Sequence, residues 1–461
     1  MTERRDRGDH VQGFTEPTDA YPAPRYAWYV VGVLTLANAS AFIDRQVLGL
    51  LVAPIRRDLG ITDTQMGVLY GLAFALFYTL LGIPLGRLAD RGSRRAIIAM
   101  GIAAWSVMTV LCGVARTYDE LLLARFGVAI GEAALAAPAL SLIADYFAPT
   151  RRATALSVYS LGTFLGAGLA NLAGGAVLAR LDGHAMLQWP IVGTVRPWQS
   201  VFVIVGLPGL IVAMLMTTVR EPRRRETGQP NDAAVFSVVD VLRHLRGNRA
   251  AFLCHNLGYA LFAMVNFATA AWLPTHLIRT YGWSAARAGL TLGTLTVTAG
   301  VAGVVVGGRV ADAMLARGRT DAKLRVGLIA ALGNLACGTA YTLAPNAALS
   351  VAALVPYNFF ASFAFGAAVA AVQEITPNRM RAQVGAVFVS AMTLIGLGLG
   401  PSIVGFLTDR AFGSDAAVRY SLLTVTILGL GAAAGLLGAG LAPYRRSVAR
   451  RGAWADAVTA T

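Results

Sequence analysis

Four ionisable residues sit where an apolar helix would bury them: Asp44 and Arg45 in FIDRQVL (residues 42–48), and Arg125 and Glu132 in RFGVAIGE (residues 125–132). At the centre of a bilayer such a charge costs roughly 2.5 to 3.5 kcal/mol on insertion scales unless something compensates it, so its presence marks a function by default. The chemistry open to these residue types is proton exchange and anion binding. Burial favours the neutral carboxylic acid and a nearby guanidinium favours the carboxylate, so Asp44 and Glu132 are the candidates for proton coupling. Arginine keeps its charge, and its forked donors match carboxylate or phosphate, so Arg45 and Arg125 are the candidate ligands of an anionic headgroup.

Helices must position these groups. Arg125 and Glu132 are i and i+7, two turns apart on one helical face. At 1.5 Å per residue Asp44 lies ~15 Å below the outer surface, between Arg125 at ~8 Å and Glu132 at ~18 Å. Uncompensated charges would be expelled, so the expectation is a mutually paired cluster of all four. A static ion-pair knot that only fixes packing is the competing reading. In the functional reading, an arginine that holds substrate cannot fully neutralise a carboxylate, and protonating that carboxylate frees the arginine.

The helices belong to a membrane chain. Hydrophobic residues make up 56% of the sequence and charged ones only 14%, against about 45–50% and 25% in soluble proteins. Twelve apolar stretches long enough to cross a bilayer are read at 26–53, 65–86, 95–115, 120–146, 153–179, 197–219, 250–278, 285–308, 324–344, 348–374, 383–408 and 418–442. No hairpin alternation suggests a closed barrel, so the fold class is all-α membrane protein. The expected organisation is a tail (1–25), a six-helix bundle (26–219), a linker (220–249), a second bundle (250–442) and a tail (443–461). The net charge of +15 is a topology signal: about 28 basic residues fall on the side of the termini and about 9 on the other, which makes both termini cytoplasmic and the inner membrane the expected location. The basic linker is read as touching anionic headgroups, with no nucleic-acid partner. The first 25 residues are polar, and the apolar segment after them is too long for a signal peptide and is read as a retained span. Cys112, Cys254 and Cys337 lie singly in apolar helices, which suggests neither a disulfide framework nor a metal site, and no cofactor is expected.

The two bundles repeat one another. GITDTQMGVLYG begins at Gly60 and GWSAARAGLTLG at Gly282; GRLAD begins at Gly86 and GRVAD at Gly308. The offset is 222 both times (282 − 60 and 308 − 86). Parallel halves joined by a long loop place a binding site near the bilayer midplane and suggest rocking of one half against the other. With these halves and GRLADRGSRR between the second and third spans, the chain resembles the major facilitator superfamily, although Gly92 precedes Ser93 where the signature has its glycine one position later. The resemblance implies a conformational latch made of Gly86, Asp90, Arg91 and Arg94, with Asp312 repeating the acid in the second half. A narrower resemblance joins NASAFIDRQVL, RFGVAIGEAALAAPALSLIADYF and NRAAFLCHNLGYALFAMVNFATAAWLPTHLIR. Together they are similar to the spinster family of sphingosine phosphate and lysophospholipid transporters, with Ala41-Phe42 where members often have Asn-Tyr. That resemblance implies an amphipathic anionic lipid as substrate.

Further polar positions lie in apolar spans. Asn266, Tyr357 and Asn358 are read as substrate contacts; Tyr259, Thr269 and Ser362 are balanced between packing and contact. His255 is read as an interfacial residue and Glu374 as a gate or loop salt bridge beside Arg379 and Arg381. Glycines 162, 166, 168, 174 and 175 in the fifth span, with Gly396, Gly398, Gly400, Pro401 and Gly405 in the eleventh, mark helices that approach closely and slide. The leading reading is a proton-coupled secondary transporter of an amphipathic anionic lipid, a monomer whose partners are that substrate, protons and the bilayer. The alternatives are an organic-anion symporter or drug/proton antiporter on the same fold, and a nontransporting membrane sensor. No phosphate-binding loop, nucleophile elbow or metal-ligand spacing supports an enzyme.

Overall fold

A computed structural model describes residues 21–181, 186–189, 193–224, 238–377 and 380–450. Twelve helices in it are long and apolar enough to cross a membrane. They are α1 (Pro24–Leu50), α2 (Asp63–Arg91), α3 (Arg94–Cys112), α4 (Tyr118–Tyr146), α5 (Thr150–Leu181), α6 (Pro197–Thr217), α7 (Arg249–Tyr281), α8 (Ala285–Ala316), α9 (Ala322–Leu343), α10 (Ala347–Glu374), α11 (Gln383–Phe412) and α12 (Asp415–Ala449). An even number of crossings puts Pro24 and Ala449 on one side, called here the terminal face; the other side is the distal face. Most of both expected tails and residues 225–237 of the expected linker lie outside the described residues. α12 continues to Ala449, beyond the expected end at 442. Within the linker a short amphipathic helix, Val238–Gly247, forms where no element was expected.

The repeat has a local physical basis. Gly60 and Gly282 both adopt left-handed backbone, with φ of 65° and 67°, which a residue with a Cβ enters at a cost. Two residues later, Thr62 and Ser284 cap α2 and α8 by accepting from the amides of Gln65 and Arg287. Each pair is again 222 apart (282 − 60 and 284 − 62). A turn followed by a hydroxyl cap therefore fixes where α2 and α8 begin.

Two helix breaks lie just before a proline. Pro138 has no amide to offer the carbonyl of Ala134, and α4 is interrupted between Ala133 and Ala136, immediately after Glu132. α1 tightens into a 3₁₀ turn over Val47–Leu50, four residues before Pro54 and directly after Arg45-Gln46. Both breaks lie beside the charged residues. On the outside, Leu80, Leu123, Met214 and Leu428 are 63–70% exposed, which suits a chain whose outer surface is solvated by lipid. A two-stranded antiparallel hairpin, Leu187–Trp189 with Gly193–Val195, covers part of the distal face.

Candidate functional site

α1, α3 and α4 bring the four predicted charges together, yet pair them differently from expectation. Arg45 donates to Glu132 Oε2 from Nε at 2.6 Å and from Nη2 at 2.5 Å. Both bonds converge on one oxygen, and Glu132 Oε1 has no partner among the described residues. The guanidinium of Arg45 is surrounded by the rings of Phe42, Phe74 and Tyr78, with centroids 5.1, 4.6 and 5.1 Å away. This is a desolvated setting in which ring faces add to the attraction. Asp44 meets neither arginine by its carboxylate: Oδ2 accepts from Thr109 Oγ1 at 3.1 Å. Arg125 reaches only the main-chain carbonyl of Asp44, at 3.4 Å from Nη1, and lies 5.6 Å from the Phe74 centroid. The expected four-membered knot is thus one ion pair, Arg45–Glu132, beside a separately held acid. The reason is direction: adjacent residues on α1 project about 100° apart, so Asp44 faces α3 while Arg45 faces α4 and the interior.

A cavity of about 430 Å³ opens between the halves, lined by α1, α2, α5, α7, α8, α10 and α11. Arg45 is the charged residue on its wall. Asp44, Arg125 and Glu132 are each 1% exposed and stand behind it, so the expectation that Arg125 lines the substrate space is corrected: its side chain is not on the cavity wall. Phe164, Phe262, Phe267, Phe365, Phe388 and Met392 make much of the remaining wall apolar. Asn266, Tyr357 and Asn358 do line the cavity. Asn266 donates to Phe262 O and accepts from Asn334 Nδ2, at 2.9 and 3.1 Å. Tyr357 donates to Thr269 Oγ1 at 2.8 Å, and Asn358 Nδ2 to Leu354 O at 2.9 Å. Phe164 of α5 meets Phe365 of α10 edge to face at 5.3 Å across the space.

The halves touch on the distal side and part on the terminal side. A Cβ on Gly67 would meet Pro401 O at 2.6 Å, and one on Gly71 would meet Leu397 O at 2.6 Å. Gly168 and Gly405 are tighter still against Val297 and Asp63, and a Cβ on Gly175 would stand 3.0 Å from Ala286 O. Nearer the terminal face, Gly82, Gly86, Gly308 and Gly385 have nothing within 4 Å of that position. The glycine series is therefore split between two tasks. Gly162, Gly166 and Gly174 seat α5 on α1 within the first half, and Gly396 and Gly400 seat α11 on α7 within the second.

Distal closure is held by charge. Asp63, whose side chain is fully buried, takes a bidentate Arg279 at 2.6 and 2.9 Å and Arg56 Nε at 3.1 Å. Asp409 of α11 accepts from the amides of Asp63 and Thr64 and from Thr64 Oγ1, at 3.3, 2.6 and 2.6 Å. A carboxylate from one half thus satisfies orphan amides at a helix N-terminus of the other. Asp415 adds a bond to Arg56 at 2.7 Å. Sequence reading missed this network, because its partners across the two halves lie more than 200 residues apart, at helix ends where charges are ordinary.

The residues of the expected latch are not joined to one another. Asp90, Arg91 and Asp312 are exposed and Gly86 is uncrowded. Arg94 is 1% exposed and pairs with Asp145 at 2.5 Å and Glu221 at 2.8 Å instead of Asp90. Glu221 also accepts from Ser93 Oγ and the Arg95 amide, while Arg224 donates to Ala89 O and Gly92 O. The start of the linker therefore clamps the α2–α3 turn. Burial alone would raise the Glu221 carboxyl, but the Arg95 amide, Arg94 and Ser93 together hold it below the usual range. His255, six residues into α7, is fully buried, its Nε2 at 2.9 Å from Ala368 O. Glu374 binds Lys323 and Tyr444 at 2.7 and 2.8 Å within the second half; Arg379 lies outside the described residues.

Comparison with known proteins agrees with this architecture. Residues 34–401 match the family model described as Major Facilitator Superfamily. The chain is 31% identical over 421 residues to an MFS-type efflux pump of Mycolicibacterium smegmatis, covering 88% of this chain and 91% of that one. It is 26% identical over 392 residues to a probable L-galactonate transporter of Escherichia coli (strain K12), covering 82% of each. A crystal structure of a bacterial homologue of the human lysosomal transporter spinster, inward-facing and unoccupied, superposes with a TM-score of 0.76 at 28% identity over 93% of this chain and 98% of that one. Twelve apolar helices in two pseudo-symmetric halves, closed on one face around a central cavity, and a family match over most of the length lead to one conclusion: the chain is a multi-pass integral membrane transporter belonging to the Major Facilitator Superfamily.

Proposed function

We propose that the protein is a proton-coupled secondary transporter of amphipathic anionic lipids, of the lysophospholipid or sphingosine phosphate type, working by alternating access in the cell inner membrane. The observation that carries the reading is the cavity wall: one arginine head, Arg45, at one place and phenylalanines over much of the rest. A substrate with one anionic end and a long apolar body matches that distribution. Similarity to a spinster homologue points the same way. With both termini cytoplasmic, as the loop charges suggest, the terminal face is the inner one and the cavity is inward-open.

The proposed coupling follows from the single ion pair. With Glu132 ionised, Arg45 is committed to it. Protonation of Glu132 removes that claim and leaves the guanidinium free for a phosphate or carboxylate, so anion and proton bind in support of each other. Arg125, turned onto the Asp44 carbonyl, acts on the substrate only through this cluster. Asp90, Arg91, Arg94 and Asp312, with Gly86 at the α2 exit, form the latch of the opposite, inward-closed state, where Arg94 already stands anchored. Asn266, Tyr357 and Asn358 meet the uncharged part of the substrate.

The second reading is uptake of a small organic anion. Asn266, Asn358 and the hydroxyls of Thr163 and Thr393 spread hydrogen-bonding groups over the cavity wall, and the similarity to a sugar-acid transporter favours it. Reconstitution into liposomes with an imposed pH gradient separates the readings. Proton-driven movement of lysolipids is expected; movement of only small acids, or only of cationic drugs, would reject the lipid assignment.

A further inference from the structure

The two acids of the site are held by different chemistry. Glu132 has an arginine, a partner whose charge is permanent. Asp44 has a hydroxyl: Thr109 Oγ1 is 3.1 Å from Oδ2, both residues are 1% exposed, and Oδ1 has no hydrogen-bond partner among the described residues. A hydroxyl can donate to a carboxylate and accept from a carboxylic acid by rotating. Such a partner serves both protonation states, as an arginine cannot.

Thr109 is also fixed in place. α3 is pressed onto its neighbours at Gly101, where a Cβ would stand 2.8 Å from Gly131 O of α4, and at Gly113, 2.6 Å from Gln199 O of α6. The charged and titratable groups around Asp44 are Arg45 on α1, Cys112 on α3, and Arg125 and Glu132 on α4, with Tyr70 on α2 near both arginines and Tyr159 on α5 near Arg45. The membrane span of α6 contributes no ionisable side chain. Of the groups around it, Thr109 is the one that donates a hydrogen bond to the Asp44 carboxylate.

We propose that Thr109 is the positioning residue of the proton site, its hydroxyl setting how readily Asp44 takes up a proton. The inference rests on the proton-coupled reading and assigns the storage of the proton to Asp44, leaving Glu132 to control Arg45. A hydrogen bond to an ionised group is the stronger kind, so its loss favours the protonated acid.

The test uses the full-length protein in proteoliposomes, with the carboxylic-acid carbonyl band followed by infrared difference spectroscopy across pH. Asp44 is identified as the band absent from Asp44→Asn. Thr109→Val, similar in shape but without the hydroxyl, moves the midpoint of that band toward alkaline pH by about one unit, the scale of one charge-assisted bond. Thr109→Ser restores it, which a purely structural role for the threonine would not require. Thr109→Ala replaces the valine variant if the latter does not insert. A wild type in which neither an Asp44-dependent nor a Glu132-dependent band titrates overturns the proton-coupled reading itself, and one in which only the Glu132 band titrates overturns the assignment of the stored proton to Asp44. A band that titrates identically in wild type and in the hydroxyl-free variant overturns the assignment of Thr109 alone.

Discussion

Arg279→Ala tests whether the distal charge network holds the observed state. Asp63 has a fully buried side chain, and two of its three close cationic contacts come from Arg279, at 2.6 and 2.9 Å; Arg56 supplies the third. Removing one partner of a buried pair costs about 3–5 kcal/mol. Because Arg56 stays, the expected loss is smaller, about 2–3 kcal/mol. The loss is conformational, since Arg279 belongs to α7 and Asp63 to α2 and the two meet only while the halves are closed on this face. In the alternative state water solvates both. At 1.4 kcal/mol per factor of ten, the closed form loses roughly 30- to 150-fold in population relative to the open one. Spin labels on cysteines at Arg57 and Ala348, exposed distal positions in opposite halves, read the change by electron-electron distance measurement, with Cys112, Cys254 and Cys337 replaced first. A longer distance in the variant is expected, and none in Arg410→Ala, which lies exposed outside the network. An unchanged distribution in Arg279→Ala would falsify the view that these charges hold the distal face shut.

Asp44→Asn and Glu132→Gln are both expected to insert normally and to lose pH-driven transport in liposomes; ordinary proton-driven uptake by the two would remove the mechanism. Glu132→Gln should in addition free Arg45, raising the affinity for an anionic ligand about tenfold or more in a thermal-shift titration. Gly71→Val places side-chain carbons where Leu397 O would lie 2.6 Å from the first of them, so the distal faces should part in the same spin-label assay; retention of the wild-type distance would contradict that packing. For Glu221 the folded carboxyl is held below the usual range, so its stabilisation is fully present above the ordinary carboxylate range and is lost as pH falls through the depressed value. Glu221→Gln should therefore lower Tm at neutral pH and match wild type in acid, and a constant difference at all pH values would count against the clamp.

The sequence by itself determined the element count, the fold class and the approximate places of the helices, because in lipid every backbone polar group must be satisfied within a helix and the apolar runs are long. It also determined the repeat, since left-handed glycines and hydroxyl caps at Gly60-Thr62 and Gly282-Ser284 are local instructions. That Asp44, Arg45, Arg125 and Glu132 gather was legible too, because isolated charges at that depth have few alternatives. Which acid takes which base was not, for pairing depends on the rotation of α1 about its axis, which turns Arg45 toward Glu132 and Asp44 toward Thr109. The burial of His255 beneath Ala368 and the seizure of Arg94 by Asp145 and Glu221 were likewise set by neighbours that spacing cannot reveal. Only the tertiary structure decided that the halves meet at Asp63, Arg279 and Asp409 and part around Gly86. Both arrangements use the same helices, and their balance rests on a few long-range charge pairs and glycine contacts that no local pattern records.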